Sequence, residues 1–451
     1  MSRLVGLLLI CALIVLARFA VPVGLAYPPA QATMIFGFLL LTAHLAGDLL
    51  SHLGLPRITG YILAGILLGP HALDWVDART VTELKLIDDL ALTFIALAAG
   101  GELRLSELRR RRRCISLTVQ VQSALVLLGV AATSLAARSW IPFLDGLPLS
   151  DAVAVAGLLG VFALARSPSS AIAIISEAKA RGPFTDMVLG VTVVMDVLVI
   201  VVFAVAVSVA RTLVGPDGSF DVAFLTTVAL ELAGSLAAGV VVGWLISLYI
   251  RRVGAELAVF LLATCFLVTF SSHQFAQFLN RFYDAHFDLE PMLICMVAGF
   301  WVQNFSTAGE RLMDKIDRSS LPIYVVFFSL TGAALDLGAL RDTWLVALLL
   351  VAIRALLIWI GAYAGARLAG DPPAFRRMSG LSFVTQAGVS LGLAGIVQRS
   401  FPEWGAALAT TIVAVISLNQ VIGPAGFKIA LSVVGEDRQA TAARGNASPE
   451  A

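Results

Sequence analysis

Charge is scarce in this chain. Only 14% of its 451 residues are Asp, Glu, Lys or Arg, against 59% hydrophobic, and the mean hydropathy is +0.91. So few charges cannot cover the surface of a water-soluble domain, and the composition defines a polytopic membrane protein. Short strands of alternating polarity are missing as well, which excludes a membrane β-barrel. The four cysteines, Cys11, Cys114, Cys265 and Cys295, have no CxxC spacing and sit mostly in apolar segments, so they suggest neither a disulfide framework nor a metal site. The five histidines, His44, His52, His71, His273 and His286, form no HExxH, and no Gly-x-Ser-x-Gly elbow occurs. Without these, a membrane hydrolase has no nucleophile or metal set, and neither an enzyme nor a cofactor is expected.

Apolar stretches long enough to span hydrocarbon as α-helices recur along the whole chain. They read as spans at about 4–26, 33–53, 56–70, 86–103, 115–138, 149–177, 184–210, 222–250, 256–279, 288–305, 320–338, 343–369, 378–399 and 404–432. The expected fold class is therefore all-α. Residues 1–32, with Arg3, an apolar core and Arg18, read as an extra N-terminal helix or a signal segment. Residues 433–451 are polar and expected to form a disordered cytoplasmic tail.

Alternate loops differ in charge, and that difference orients the chain. One set carries Arg109–Arg113, Lys179 with Arg181, Arg251-Arg252, Arg311/Lys315/Arg318 and Arg376-Arg377, while the other carries mostly single cations such as Arg138, Arg211 and Arg341. Cytoplasmic loops are enriched in Lys and Arg, so the five-arginine loop and the C-terminus are expected on the cytoplasmic side. Between two spans this topological role accounts for the arginine run. No nucleic-acid partner is expected, and membrane lipid is the surrounding medium.

Asp196 stands inside the apolar run from Phe184 to Val209, which carries no other charge after Asp186. An ionised group at membrane depth costs about 2.5 kcal/mol or more and is usually retained for an ion or proton pathway. Two other spans are interrupted. The first holds Arg166-Ser167-Pro168-Ser169-Ser170, where Pro168 removes a backbone donor and should unwind the helix. The second runs from Met378 to Gly395 through Ser382, Thr385, Gln386, Gly388 and Ser390. Counted from the 33–53 span these are the fifth and twelfth of thirteen, equivalent places if residues about 33–210 and 256–432 form an inverted repeat joined by a linker helix at about 222–250. Interrupted helices in corresponding places of two repeats point to a transport site. On the eleventh span Arg354 lies too deep to reach the headgroups, and two options remain open for it: pairing with Asp196, or capping the carbonyls of a broken helix.

Over residues 33 to 432 the chain resembles the monovalent cation:proton antiporter superfamily, in its bacterial Kef-type and sodium/proton exchanger branch. The likeness is carried by Gly54-Leu-Pro56-Arg-Ile-Thr-Gly60 through Gly69-Pro70, by Ala99-Gly-Gly-Glu102-Leu, by the segment from Leu321 through Phe327-Phe328 and Gly332 to Asp336-Leu, and by Gln386-Ala-Gly388-Val-Ser390 and Ile422-Gly423-Pro424. The resemblance implies a 13-helix inverted-repeat fold with a dimerisation domain and a six-helix core in which two discontinuous helices cross. It also implies elevator-like exchange of Na⁺ or K⁺ for H⁺ by a homodimer in a bacterial inner membrane. Asp196 matches the family's essential carboxylate, and Arg354 its basic residue. Two departures stand out: Met195 precedes the carboxylate where many relatives have Asp, Asn or Gln, and Arg166-Ser167 replaces a Thr-Asp pair before the proline.

The expected ion- and proton-binding set is Asp196 with the hydroxyls of Ser167, Ser169, Ser170, Thr192 and Thr385, the amide of Gln386, broken-helix carbonyls and water. Arg354 and Arg166 are expected to compensate charge, and Pro168 and Gly388 to break the helices. One titrating carboxylate beside permanently charged arginines favours electroneutral exchange. Glu231 is expected to serve helix packing or a dimer interface, His44 and Asp48 to form a satisfied pair or a pH sensor, and Asp88, Asp89 and Glu102 to lie at solvated span ends. Two alternatives remain: a ligand-gated potassium efflux system that needs a separate cytosolic regulatory subunit, and a degenerate, non-transporting sensor.

Overall fold

A computed structural model describes residues 28–214, 222–283, 289–386 and 389–437. The first 27 residues, on which most of the extra-helix or signal reading falls, lie outside the described residues, as does the tail from 438 onward. All regular structure among the described residues is helical: α1 (Pro28–His52), α2 (Arg57–Leu68), α3 (Ala78–Glu83), α4 (Lys85–Glu102), α5 (Leu105–Ala136), α6 (Leu149–Leu164), α7 (Pro168–Ala178), α8 (Pro183–Val214), α9 (Val222–Arg252), α10 (Leu257–Tyr283), α11 (Pro291–Phe305), α12 (Gly309–Ala333), α13 (Leu337–Ala369), α14 (Pro373–Met378), α15 (Val389–Ser400) and α16 (Gly405–Val434). Eight stretches of the described chain are long and apolar enough to cross a membrane. The all-α polytopic fold follows directly.

Boundaries differ from the sequence reading where charge extends a helix beyond hydrocarbon. The five arginines at 109–113 do not form a loop: they occupy the early turns of α5, which starts ten residues before the expected span. Arginine is a good helix former, and water solvates its head while the backbone bonds continue. Likewise α12 begins at Gly309 rather than near 320, and its charged turns are helped by the Arg318–Asp314 pair at 2.9 Å, one turn apart. The segment between α2 and α4 contains the short helix α3, capped by Asp77 accepting from the Thr80 N–H at 2.8 Å.

The helices pack in two groups. In one, α1 packs on α2, α2 on α12, α4 on α11 and α12, and α9 on α11. In the other, α5 packs on α6, α8 and α13, α6 on α8, and α16 on α13 and α15. The groups meet along α4 with α7, α8 with α9, and α2 with α7 and α16. Small residues permit the tightest crossings, since a methyl group on Gly65 of α2 or Gly332 of α12 would overlap the backbone of the facing helix. Gly100 of α4 and Gly299 of α11 make the same reciprocal contact.

Candidate functional site

The first interruption follows from two local rules. Proline is well placed as the first residue of a helix, and the residue before it is pushed out of helical geometry. Accordingly α6 stops at Leu164, Ala165 and Ser167 are extended, and α7 starts at Pro168. Ser167 caps α7: its Oγ accepts from the Ser170 N–H at 3.1 Å, donates to Ser170 Oγ at 2.8 Å and lies 3.1 Å from Ser169 Oγ. All three serines are buried.

The second interruption begins with a tight helical turn, Ser379–Phe383, after which Val384, Thr385 and Gln386 are non-helical; α15 begins at Val389. Gly388 lies outside the described residues. Thr385 is buried, with its backbone packed against Gly423 of α16.

A helix that ends in the interior leaves carbonyls without donors, and here side chains supply them. Arg354, buried on α13, donates from Nε to the Ala163 carbonyl at 2.9 Å, from Nη2 to Ala165 at 2.7 Å, and from Nη1 to Val384 of the other break at 2.7 Å. Gln386 donates from Nε2 to the Phe162 carbonyl at 2.8 Å, and its Oε1 accepts from Asn419 Nδ2 of α16 at 3.0 Å. Arg166 reaches from the first break to the Phe383 carbonyl of the second, with its guanidinium 5.1 Å from the Phe383 ring centre. The two breaks are thus one hydrogen-bonded crossing.

Of the two options open for Arg354, the structure takes the carbonyls. Gln386 has both ends of its amide bonded to protein partners, which ties it into the crossing. Asp196 lies thirteen residues after the start of α8 and eighteen before its end. Its carboxylate is buried and has no hydrogen bond or ion pair among the described residues. One turn earlier, Thr192 Oγ1 donates to the Val188 carbonyl at 2.8 Å, so its oxygen keeps acceptor capacity. Met195 is fully buried and its sulfur accepts from Ser123 Oγ at 3.2 Å, so that position serves α5–α8 packing.

Several residues stand elsewhere. Asp48 pairs with Arg57 at 3.3 Å, which gives it a structural partner. Asp88 departs from the expectation of a solvated end: its Oδ1 is buried without a hydrogen-bond partner. Glu231, Asp89 and Glu102 are half-buried on their helices, apart from the crossing. Sequence reasoning missed two residues. Asn419 holds Gln386, and the adjacent amides Asn419-Gln420 inside an apolar span were the available signal. Glu290, at the start of α11, is half-buried, donates its backbone N–H to Ser235 Oγ at 3.0 Å and is the ionisable neighbour felt at Asp196. Among the described residues no three His, Cys, Asp or Glu side chains cluster as a metal site.

Two interrupted helices crossing inside a helical bundle that also buries a carboxylate in an apolar span define a membrane transporter of the discontinuous-helix class. The family model for "Sodium/hydrogen exchanger, transmembrane" matches residues 37–432, and the chain belongs to that family of monovalent cation:proton antiporters. It is similar to the Na⁺/H⁺-K⁺ antiporter GerN of Bacillus cereus, 26% identical over 402 residues that cover 86% of this chain and 94% of that protein. It is also similar to the probable Na⁺/H⁺ antiporter GerT of Bacillus cereus, 27% identical over 375 residues covering 81% and 88%. The sodium proton antiporter MjNhaP1 of Methanocaldococcus jannaschii shares the fold, with a TM-score of 0.71 at 17% identity over 93% of this chain and 99% of that one.

Proposed function

We propose that this chain exchanges a monovalent cation, Na⁺ or K⁺, for H⁺ at Asp196, by alternating access of the core group of helices against the other group. The observation that carries the reading is that Asp196 is buried with no hydrogen bond or ion pair among the described residues, while Arg354 donates from Nε, Nη1 and Nη2 to three carbonyls. A carboxylate in that position is neutralised either by a proton or by a cation, and both neutral forms cross a low-dielectric barrier that holds back the bare charge. The hydroxyl oxygens of Thr192, Ser169 and Ser170, with Thr385, are the nearby-core candidates to replace a cation's water.

Electroneutral one-for-one exchange is supported by Asp196 as the one carboxylate deep in an apolar span of the core group, because an arginine held on carbonyls supplies no second proton. Relative movement of the two groups is supported by the limited set of helices through which they touch. The names of the relatives favour Na⁺, with K⁺ as a further substrate. Arg109–Arg113, Arg251-Arg252 and Arg376-Arg377 fall at helix ends that the alternation of spans puts on one side, which supports a cytoplasmic assignment for that side.

Cation-driven pH change in proteoliposomes, scanned over Li⁺, Na⁺, K⁺ and Rb⁺, tests the reading. Asp196→Asn is expected to assemble normally and lose exchange, because an amide cannot alternate between proton and cation. Near-wild-type transport in that variant would sink the proposal.

A further inference from the structure

The group of helices that does not carry Asp196 brings a carboxylate to its level. Glu290 is the N-cap residue of α11, and its backbone N–H donates to Oγ of the fully buried Ser235 on α9 at 3.0 Å. Beyond that bond the two helices stay in close contact, since a methyl group on Gly239 or Gly243 of α9 would overlap the Ile294 or Ala298 carbonyl of α11. Ser235 stands thirteen residues after the start of α9 and seventeen before its end, so Glu290 lies deep in the bundle.

The register of α8 against α9 sets the height. The Arg211 guanidinium of α8 lies 5.1 Å from the ring centre of Phe224 on α9, and these successive helices run in opposite directions. From Arg211 back to Asp196 is about 22 Å along α8, and from Phe224 on to Ser235 about 16 Å along α9. Asp196 and Glu290 thus stand within about one helical turn of the same level, and Glu290 is the ionisable group felt at Asp196. Other ionisable groups on the helices packed against α11 act on one another instead: Asp88 with Asp89 and Lys85 on α4, and Asp89 with His273 of α10. Glu231, half-buried, lies one turn before Ser235 on α9.

Two neighbouring carboxylates in a low-dielectric interior repel, and a positive charge bound at one relieves both. Glu290 is half-buried at a helix N-terminus, where the dipole favours its anion, whereas Asp196 is buried at 6% exposure. Resting on the exchange reading of Asp196, we propose that Glu290 is a positioning residue of the exchange site, a fixed negative charge that sets how tightly Asp196 holds its positive occupant. It draws proton and monovalent cation alike and itself exchanges neither. Its backbone bond to Ser235 keeps it in place, and it reaches the site from outside the helix group that contains the crossing.

The test is the pH dependence of cation affinity in proteoliposomes. At alkaline pH, where few protons compete, Glu290→Gln is expected to raise the half-saturating cation concentration about tenfold with a smaller change in maximal rate. At acidic pH that rise should disappear, because the lost charge weakens the hold on proton and cation equally. Glu290→Asp keeps the charge and should lie close to wild type throughout. Glu290→Ser, which keeps a capping side chain, takes the place of Glu290→Gln if the latter fails to assemble. A half-saturating concentration that is unchanged at alkaline pH, raised equally at every pH, or raised as far by Glu290→Asp overturns the proposal. Complete loss of exchange in assembled Glu290→Gln also overturns it, because Glu290 would then be a carrier itself. Exchange retained in Asp196→Asn overturns the transport assignment instead, so the two failures are distinguishable.

Discussion

A single side chain, Arg354, closes three carbonyls that the two interrupted helices leave open. Hydrogen bonds from a charged donor are worth about 1.5–3 kcal/mol each, and a buried carbonyl left bare costs a similar amount. Arg354→Gln is therefore expected to lose about 3 kcal/mol or more of stability, read as a drop of several degrees in the melting midpoint in detergent. Arg354→Lys should also fall, because one compact ammonium cannot span Ala163, Ala165 and Val384 together. A midpoint equal to wild type in both would contradict the capping role. Gln386 works on a smaller scale, joining α16 to the Phe162 carbonyl through its two amide ends. Gln386→Ala is expected to weaken apparent cation affinity more than maximal rate, since it loosens the crossing and leaves the Asp196 carboxylate, the proposed exchange site, in place; equal losses in both would argue against it.

At the scale of elements, the same local chemistry both breaks and repairs helices. Pro168 starts α7, and Ser167 caps it through the Ser170 N–H. Removing an N-cap hydroxyl costs about 1 kcal/mol, so Ser167→Ala should be tolerated in folding while weakening cation affinity. Helix-to-helix approach is governed by glycine at the reciprocal contacts of α2 with α12 and α4 with α11. Gly65→Val would drive a side chain into the backbone of α12 and is expected to cost about 1–3 kcal/mol or prevent assembly. Gly157 of α6 offers a matched control, because nothing lies within 4 Å of a methyl group built there. Gly157→Ala should be neutral or slightly stabilising, as alanine is the better helix former. Equal melting shifts in the two variants would refute the close-packing argument.

For the whole molecule, movement between the two helix groups requires the bonds between them to break. One such set lies at the N-terminal end of α2. Glu177 of α7 accepts from the Arg57 N–H through both carboxylate oxygens, at 2.8 and 2.9 Å, and Lys428 of α16 donates to the Leu55 carbonyl at 3.0 Å. Anions at a helix start are favourable, so this contact favours the arrangement seen here. If core movement carries transport, Glu177→Gln should change the maximal rate several-fold and leave the half-saturating cation concentration unchanged. A change in affinity alone would place Glu177 in binding instead. Electroneutrality is tested on the same scale: a potential imposed with valinomycin and K⁺, in a Na⁺/H⁺ assay, should leave the exchange rate unchanged.

Membrane class, helix count along the core and the two interruptions were legible in the chain itself, because hydropathy, proline and runs of glycine and hydroxyl residues act locally. Asp196 was legible for the same reason, as one carboxylate in a long apolar run. The arginine run at 109–113 was misread as a loop, since charge marks the side of the membrane but says little about where a helix begins. Tertiary structure alone decided the partners. Whether Arg354 meets a carboxylate or a carbonyl, and that Gln386 is held between the Phe162 carbonyl and Asn419, depend on residues dozens to hundreds of positions apart. Hydrogen-bond distance, not chain distance, settles those choices. Sequence determined which groups are costly to bury, and the packed crossing determined which of them find hydrogen-bond partners.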